Sequence, residues 1–255
     1  GVQTCALPIC SGGADDPVQL ALARIRQLAA HEVGHTLGLA HNFAGSLVGN
    51  GSVMDYPAPY VRVEGSTLDT SAAYGVGIGP WDRTSVSWLY GQANDPTGEA
   101  QRQRDVLAAA REAGLVYQSD ADARPPGAAD PRGNLWDTGP DAVEGLLRAL
   151  DVRRVALEGF GLDRVALGRP LAELSDVFVP VYLHHRYQVE AAVKLLGGVE
   201  VDHGVVGDGA QAARPVPGNR QREALEALVA ALAPQTLAVP ADLQALLVPR
   251  PPGMA

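Results

Sequence analysis

Three histidines, a glutamate and a glycine fall within eleven residues, His31-Glu-Val-Gly-His35-Thr-Leu-Gly38-Leu-Ala-His41, at the spacing a catalytic zinc ion requires. In an α-helix His31 and His35 are four residues apart and project from one face, so their ring nitrogens can converge on one ion. A helix running straight on would carry His41 past that ion, so the chain has to turn after Leu37. Gly38 supplies the turn, because a residue without Cβ takes positive φ at no steric cost. The expected product is a site of three neutral imidazoles with one open position, the feature that separates catalytic from structural zinc. Water held there has its pKa lowered towards ~7, and Glu32 is placed to take its proton. These residues imply a zinc hydrolase. Half of the chain's six histidines lie in this stretch, which argues against an amphipathic helix with incidental histidines.

Thirteen residues after His41 comes Ser52-Val53-Met54-Asp55-Tyr56, which contains one of only two methionines in the chain. A lone methionine in a loop is ordinarily a gap-filler. Together the two stretches resemble the metzincin superfamily, whose zinc motif H-E-x-x-H-x-x-G-x-x-H is followed by a methionine-containing turn. The resemblance implies that His31, His35 and His41 are the metal ligands, that Glu32 is general base and then acid, and that Met54 floors the site. Tyr56 looks like the tyrosine of the astacin and serralysin branches, which approaches the metal and steadies the oxyanion; an ordinary packed tyrosine is the alternative. Asn42 does not match the residue that marks the best-known branches. His-Asn-Phe after the motif, the turn itself and Ile78-Gly79-Pro80-Trp81-Asp82-Arg83 resemble a family of large bacterial zinc metalloproteases first catalogued as domains of unknown function and usually exported. Looser likenesses continue through Ser119-Asp120-Ala-Asp122, Asp130-Pro131, Trp136-Asp137-Thr-Gly139 and Tyr182-Leu-His184-His185-Arg186-Tyr187.

On this resemblance the chain is expected to be α+β and predominantly helical: the lower half of a metzincin-like catalytic domain over residues 11–97, then a mainly helical region over 98–255. Gly1 to Ile9 reads like a translated sequencing adapter, so residues 1–10, with Cys5 and Cys10, are set aside from fold reasoning. Few residues then precede His31, and the upper half of the catalytic domain, with any export signal, is expected to be absent from this chain. The chain's 46% hydrophobic content suffices for a core. No run approaches a membrane span, and a formal charge of −9 argues against a nucleic-acid partner. The expected partner is a peptide or protein substrate. A zinc-binding scaffold without catalysis and a zinc hydrolase of a non-peptide bond are the two rival readings.

Helical periodicity with Asp16 as cap predicts the active-site helix over 17–37, its stripe Val18, Ala21, Leu22, Ile25, Leu28, Ala29, Val33 and Leu37 facing the body. Residues 42–79 read as loop, in which Tyr60, Arg62 and Glu64 are possible specificity contacts. Helices are expected at 80–90 and 99–113, a strand-like segment at 114–118, helices at 141–159 and at 170–197 with a break at Pro180, an extended segment near 199–206, a helix from 220 capped by Asn219, and a short one opened by Pro240. Asp120, Asp122, Asp130 and Asp137 could hold a structural Ca2+ or could simply cap turns. His184 and His185 are adjacent and cannot share a metal; each, like His203, is expected to be a hydrogen-bonded structural residue.

Overall fold

The computed structural model describes residues 17–49, 51–206 and 213–253; Asp16 and both cysteines lie outside them. The chain opens on α1 (Pro17–Thr36). Its end is a Schellman cap: Gly38 takes φ +84°, its amide donates to the His35 carbonyl (2.9 Å), and that of Leu39 donates to Gly34 (3.0 Å).

The buried side of α1 carries Leu20, Gln27, His31 and Gly34, whereas Val18, Leu22, Ile25, Leu28, Val33 and Leu37 are exposed. The expectation that this stripe fixes the helix to the body is therefore corrected. His31 and the glycine that receives Met54 lie on the body side, and a helix cannot turn two faces inward. A Cβ at Gly34 would sit 2.2 Å from Met54 Sδ, so glycine is what lets the methionine lie against this helix.

The segment expected as plain loop contains a 3₁₀ turn (Gly45–Val48) and a hairpin, β1 (Arg62–Glu64) with β2 (Thr67–Asp69), in which Arg62 faces and pairs with Asp69. Next come α2 (Pro80–Tyr90) and α3 (Glu99–Glu112), close to their expected bounds. Residues 115–119 form no strand, because their backbone groups are spent on the loop after His41. After α4 (Asp120–Ala123) the central helix α5 (Ala142–Glu158) starts on an Asp141 cap. Pro180 lies inside α6 (Glu173–Tyr182); the break falls instead at Leu183–His185, before α7 (Arg186–Val193). The proline lies in the last turn of α6, and the helix stops two residues later. The expected extended segment shortens to β3 (Val199–Val201), paired antiparallel with β4 (Ala213–Pro215). The last helices are α8 (Gly218–Ala231), α9 (Pro234–Leu237) and α10 (Ala241–Leu246); Asn219 lies within the first turn of α8 and Pro217 is its cap.

The fold is thus α+β and predominantly helical. Two cores share α5. Val152, Val155 and Ala156 meet the β1–β2 hairpin, Phe178 and Val181 of α6, and Leu243, while Val143 and Leu146 meet Ala192, Ala224 and Leu228. Leu146 is wholly buried, a side-chain burial that contributes about 1.5–3 kcal/mol. Among the described residues no single helix is long and apolar enough to cross a membrane.

Around the methionine turn the backbone is tied by buried side chains. Asp82 accepts from Ser52 Oγ (2.7 Å) and from the amides of Val53 (2.8 Å) and Gly79 (2.6 Å), which joins the turn to the start of α2. Asp55 accepts from the Ser46 amide, and Asp137 accepts from Ser46 Oγ at 2.8 Å. Burial first, then the neighbouring Asp137, pushes Asp55 well above the usual carboxylate range; burial pushes Asp137 up to about 7. Between roughly pH 4, where a carboxyl in the unfolded chain titrates, and about 7, the folded chain keeps a proton on Asp137 that the unfolded chain has lost. Its contribution to stability therefore falls as pH rises, by at most ~1.4 kcal/mol per pH unit. His31, His184 and His185, all held below their ordinary value, act in the opposite sense, so a comparison with a variant is needed to isolate Asp137. Urea unfolding of Asp137→Asn beside the wild type is expected to show the variant gaining relative stability from pH 5 to 7. A stability difference that stays constant over that range would refute a raised Asp137.

Candidate metal centre

The Schellman turn brings His41 back beside the helix that carries the other two histidines. One ring nitrogen from each of His31, His35 and His41 falls within 4.8 Å of the others, and this is the only cluster of its kind among the described residues. The ring centroids of His31 lie 4.6 Å from His35 and 5.2 Å from His41.

Each Nδ1 is engaged by an acceptor from a different place. His31 Nδ1 donates to the Val53 carbonyl (2.7 Å), His35 Nδ1 to the Leu39 carbonyl (2.9 Å), and His41 Nδ1 to Asp120 Oδ2 (2.7 Å). A carbonyl or carboxylate can only accept, so each Nδ1 carries a proton, and in the neutral ring each Nε2 then presents a bare lone pair. The His41 Nε2 is buried without a protein partner. Burial, and then the neighbouring His35 and His41, lowers the pKa of His31, which favours the neutral, ligating form. Three fixed imidazoles with free lone pairs fit a zinc ion, which takes nitrogen ligands in an open three-histidine set.

Glu32 follows His31 on α1 as an exposed residue with, among the described residues, no hydrogen bond or ion pair to its side chain. It is near enough to raise the His31 pKa. Met54 is fully buried and packs with Leu39 and Val53 beneath the helix. Tyr56 stands 4.7 Å from the His41 ring and 5.5 Å from that of His31, centroid to centroid, and also meets Phe43 and Trp136. Every site residue expected from the motif is therefore gathered around the histidines.

Two contributors were not expected. Asn42, fully buried, donates to the Val116 carbonyl and accepts the amides of Ala44 and Gln118. Asp120 holds His41 while also pairing with Arg124 at 2.5 Å, and the Arg124 guanidinium lies 5.3 Å over both Phe43 and Tyr56. Burial works against the charged form of Asp120, yet the bonds from His41 and Arg124 hold its carboxyl below the usual range. The sequence marks this place only through the capping box Ser119-x-x-Asp122, which fixes the turn that presents Asp120.

Of the two readings of the acidic residues, a calcium site is not supported among the described residues. Asp120 binds His41 and Arg124, Asp122 binds Ser119 and His203, Asp130 binds Arg132 and Gln118, and Asp137 binds Ser46, so no two of the four carboxylates share a partner. Of the suggested specificity contacts, Arg62 is engaged by Asp69, Glu64 lies exposed in the hairpin, and Tyr60 carries the Arg148 guanidinium 4.6 Å above its ring.

A family model described as Met-zincin matches residues 13–251, nearly the whole chain. The chain belongs to the Met-zincin family. No curated protein and no solved structure matches it. In a Met-zincin site the carboxylate behind His41 is expected to matter for the metal itself, because outer partners of this kind fix the ring and raise its basicity. Asp120→Ala should weaken zinc binding about 10- to 100-fold in a chelator competition, with the melting profile little changed. Unaltered zinc affinity would show that the Asp120 contact is incidental.

Proposed function

We propose that this Met-zincin chain carries the catalytic centre of a zinc-dependent endopeptidase. The observation that carries the reading is the set of three imidazoles, each fixed at Nδ1 and free at Nε2, next to the unengaged carboxylate of Glu32 on the same helix. Bound by His31, His35 and His41, zinc supplies a Lewis acid that makes water a nucleophile at neutral pH.

The chain's own groups do the rest. Glu32, one residue from a ligand and exposed to the open side, takes a proton from the attacking water and returns it to the leaving amine. Tyr56, packed between His41 and Trp136, is the group on this side of the histidines that would donate its phenol to a developing oxyanion. Met54 fills the space under Gly34 and keeps α1 from shifting towards the turn. Export belongs to the same proposal and rests on the resemblance to exported bacterial enzymes.

Metal content of the purified chain by mass spectrometry comes first, with His41→Ala in parallel; one zinc per chain, lost or greatly weakened in the variant, is expected. Glu32→Gln should then keep its zinc while peptide cleavage falls by about 10²–10⁴-fold. Full cleavage by the Glu32→Gln protein would defeat the mechanism, and hydrolysis of esters without hydrolysis of peptides would move the activity to another bond.

A further inference from the structure

On the far side of Trp136 from Tyr56 lies a cavity of about 560 Å³ between α1, the loop at Trp136, α5 and the corner joining α6 to α7. Arg24, Arg148 and Arg186 all line it, and no aspartate or glutamate does. In a chain of formal charge −9 this is an inverted local balance. Arg62, Arg102, Arg132 and Arg214 each meet a carboxylate elsewhere in the fold. Among the described residues the three arginines of the cavity meet only neutral groups. Arg24 bonds the Gln27 side chain and lies 5.6 Å over Tyr74 and 5.8 Å over Trp136. Arg148 donates to the Thr138 carbonyl (2.8 Å) and hydroxyl (2.7 Å), and Arg186 donates to the Leu183 carbonyl (3.1 Å).

Aromatic faces and neutral acceptors leave most of that positive charge uncompensated, since a cation over a ring gains only about 0.5–2 kcal/mol. A carboxylate is the natural complement, because guanidinium forks bind it through paired charge-assisted hydrogen bonds. His184, also in the wall, is neutral at pH 7: burial first, then His185 and Arg186, brings its pKa down to about 4.

Trp136 connects the cavity to the histidines. It is the only residue other than glycine with positive φ (+63°) among those described. Its amide donates to the Tyr56 carbonyl (2.9 Å) and its own carbonyl accepts from Gln188 (3.1 Å), so both neighbours hold it in that conformation. Its ring lies 5.2 Å from that of Tyr56, which in turn lies against His41. On α1, Leu28 and Arg24 reach the cavity from about one and two turns before His31. The cavity is thus separated from the histidines by the Tyr56 and Trp136 rings, a span that a side chain of a bound peptide would have to cover.

We infer that the cavity is a side-chain subsite that selects an acidic residue of the peptide cut at the histidine centre, with Arg24 and Arg148 as its specificity-determining residues; this rests on the peptidase reading. The test uses three synthetic octapeptides that differ only in one central residue, Glu, Gln or Lys. Binding to the full chain is measured by calorimetry with zinc removed, and cleavage by mass spectrometry with zinc present. The Glu peptide is expected to bind at least tenfold more tightly than the Gln peptide, with an advantage that shrinks as salt is raised, and to be cut fastest. Arg24→Gln and Arg148→Gln, singly and together, should narrow the Glu-over-Gln ratio towards one, and Arg186→Gln gives a third variant on an exposed residue. Equal binding of the Glu and Gln peptides overturns the subsite even if both are cut. A Glu preference in binding without any cleavage upholds the subsite and removes the peptidase reading.

Discussion

The hydrogen bonds to the three Nδ1 atoms are the constraint on which the rest of the site depends. An imidazole free to rotate about two side-chain torsions presents its Nε2 over a wide range, and three such rings rarely converge. Here the acceptors come from the methionine turn, from the cap of α1 and from α4, so three separately folded segments fix three rings. The same bonds fix the tautomer, since each acceptor demands a proton on Nδ1 and leaves Nε2 bare. Position and protonation state follow from one set of contacts.

Those acceptors are only as well placed as their segments, and buried polar side chains hold the segments together. Asp82 anchors the turn that supplies Val53, Asn42 anchors the segment leading to α4, and Ser46 bridges to Asp137. Backbone bonds add to this: Phe43 donates to the Gln118 carbonyl, and Asn134 donates to that of Phe43. Residues 115–137, far along the chain from the motif, are in this way part of the histidine centre. The acceptor from α4 is a carboxylate, whereas the other two are carbonyls, so the bond that fixes His41 is the charge-assisted one of the three.

What the sequence made legible follows from how local each feature is. The ligand triad, Gly38 and most helix bounds depend on spacings within one or two turns, and they appear where the pattern put them. Met54 and Tyr56 became readable through the family resemblance and are found beside the triad. The misread features depend on distant partners. The stripe on α1 has helical periodicity, but periodicity identifies an apolar face without saying which face the fold covers; His31 and Gly34 settled that by needing the turn beneath them. Val116 and Gln118 look like strand residues, yet their backbone groups answer Asn42, seventy-four and seventy-six residues away. The β1–β2 hairpin was within reach, since Val61-Arg-Val-Glu alternates and Gly65 provides the turn at φ +64°, but the polar composition around it masked the signal. Asp120 carries no local mark of its role, because a carboxylate in a capping turn is common and its histidine lies seventy-nine residues upstream.

Several departures from ordinary structural economy lie around the histidine centre. A tryptophan in the left-handed region costs about 1–2 kcal/mol relative to a relaxed backbone. Two buried aspartates have their proton affinity raised, Asp55 by burial and then by Asp137, Asp137 by burial, and the Nε2 of His41 is buried without a protein partner. Trp136 adjoins Asp137 in sequence, Asp55 lies between Met54 and Tyr56, and the orphaned nitrogen belongs to His41. Such features persist only where the surroundings over-determine them, and here the surroundings are the bonds that also aim the imidazoles. Relaxing Trp136 would require releasing its amide from the Tyr56 carbonyl, and Tyr56 is packed against His41. The strain is thus bound up with the geometry of the centre: the contacts that aim the rings also prevent this segment from relaxing.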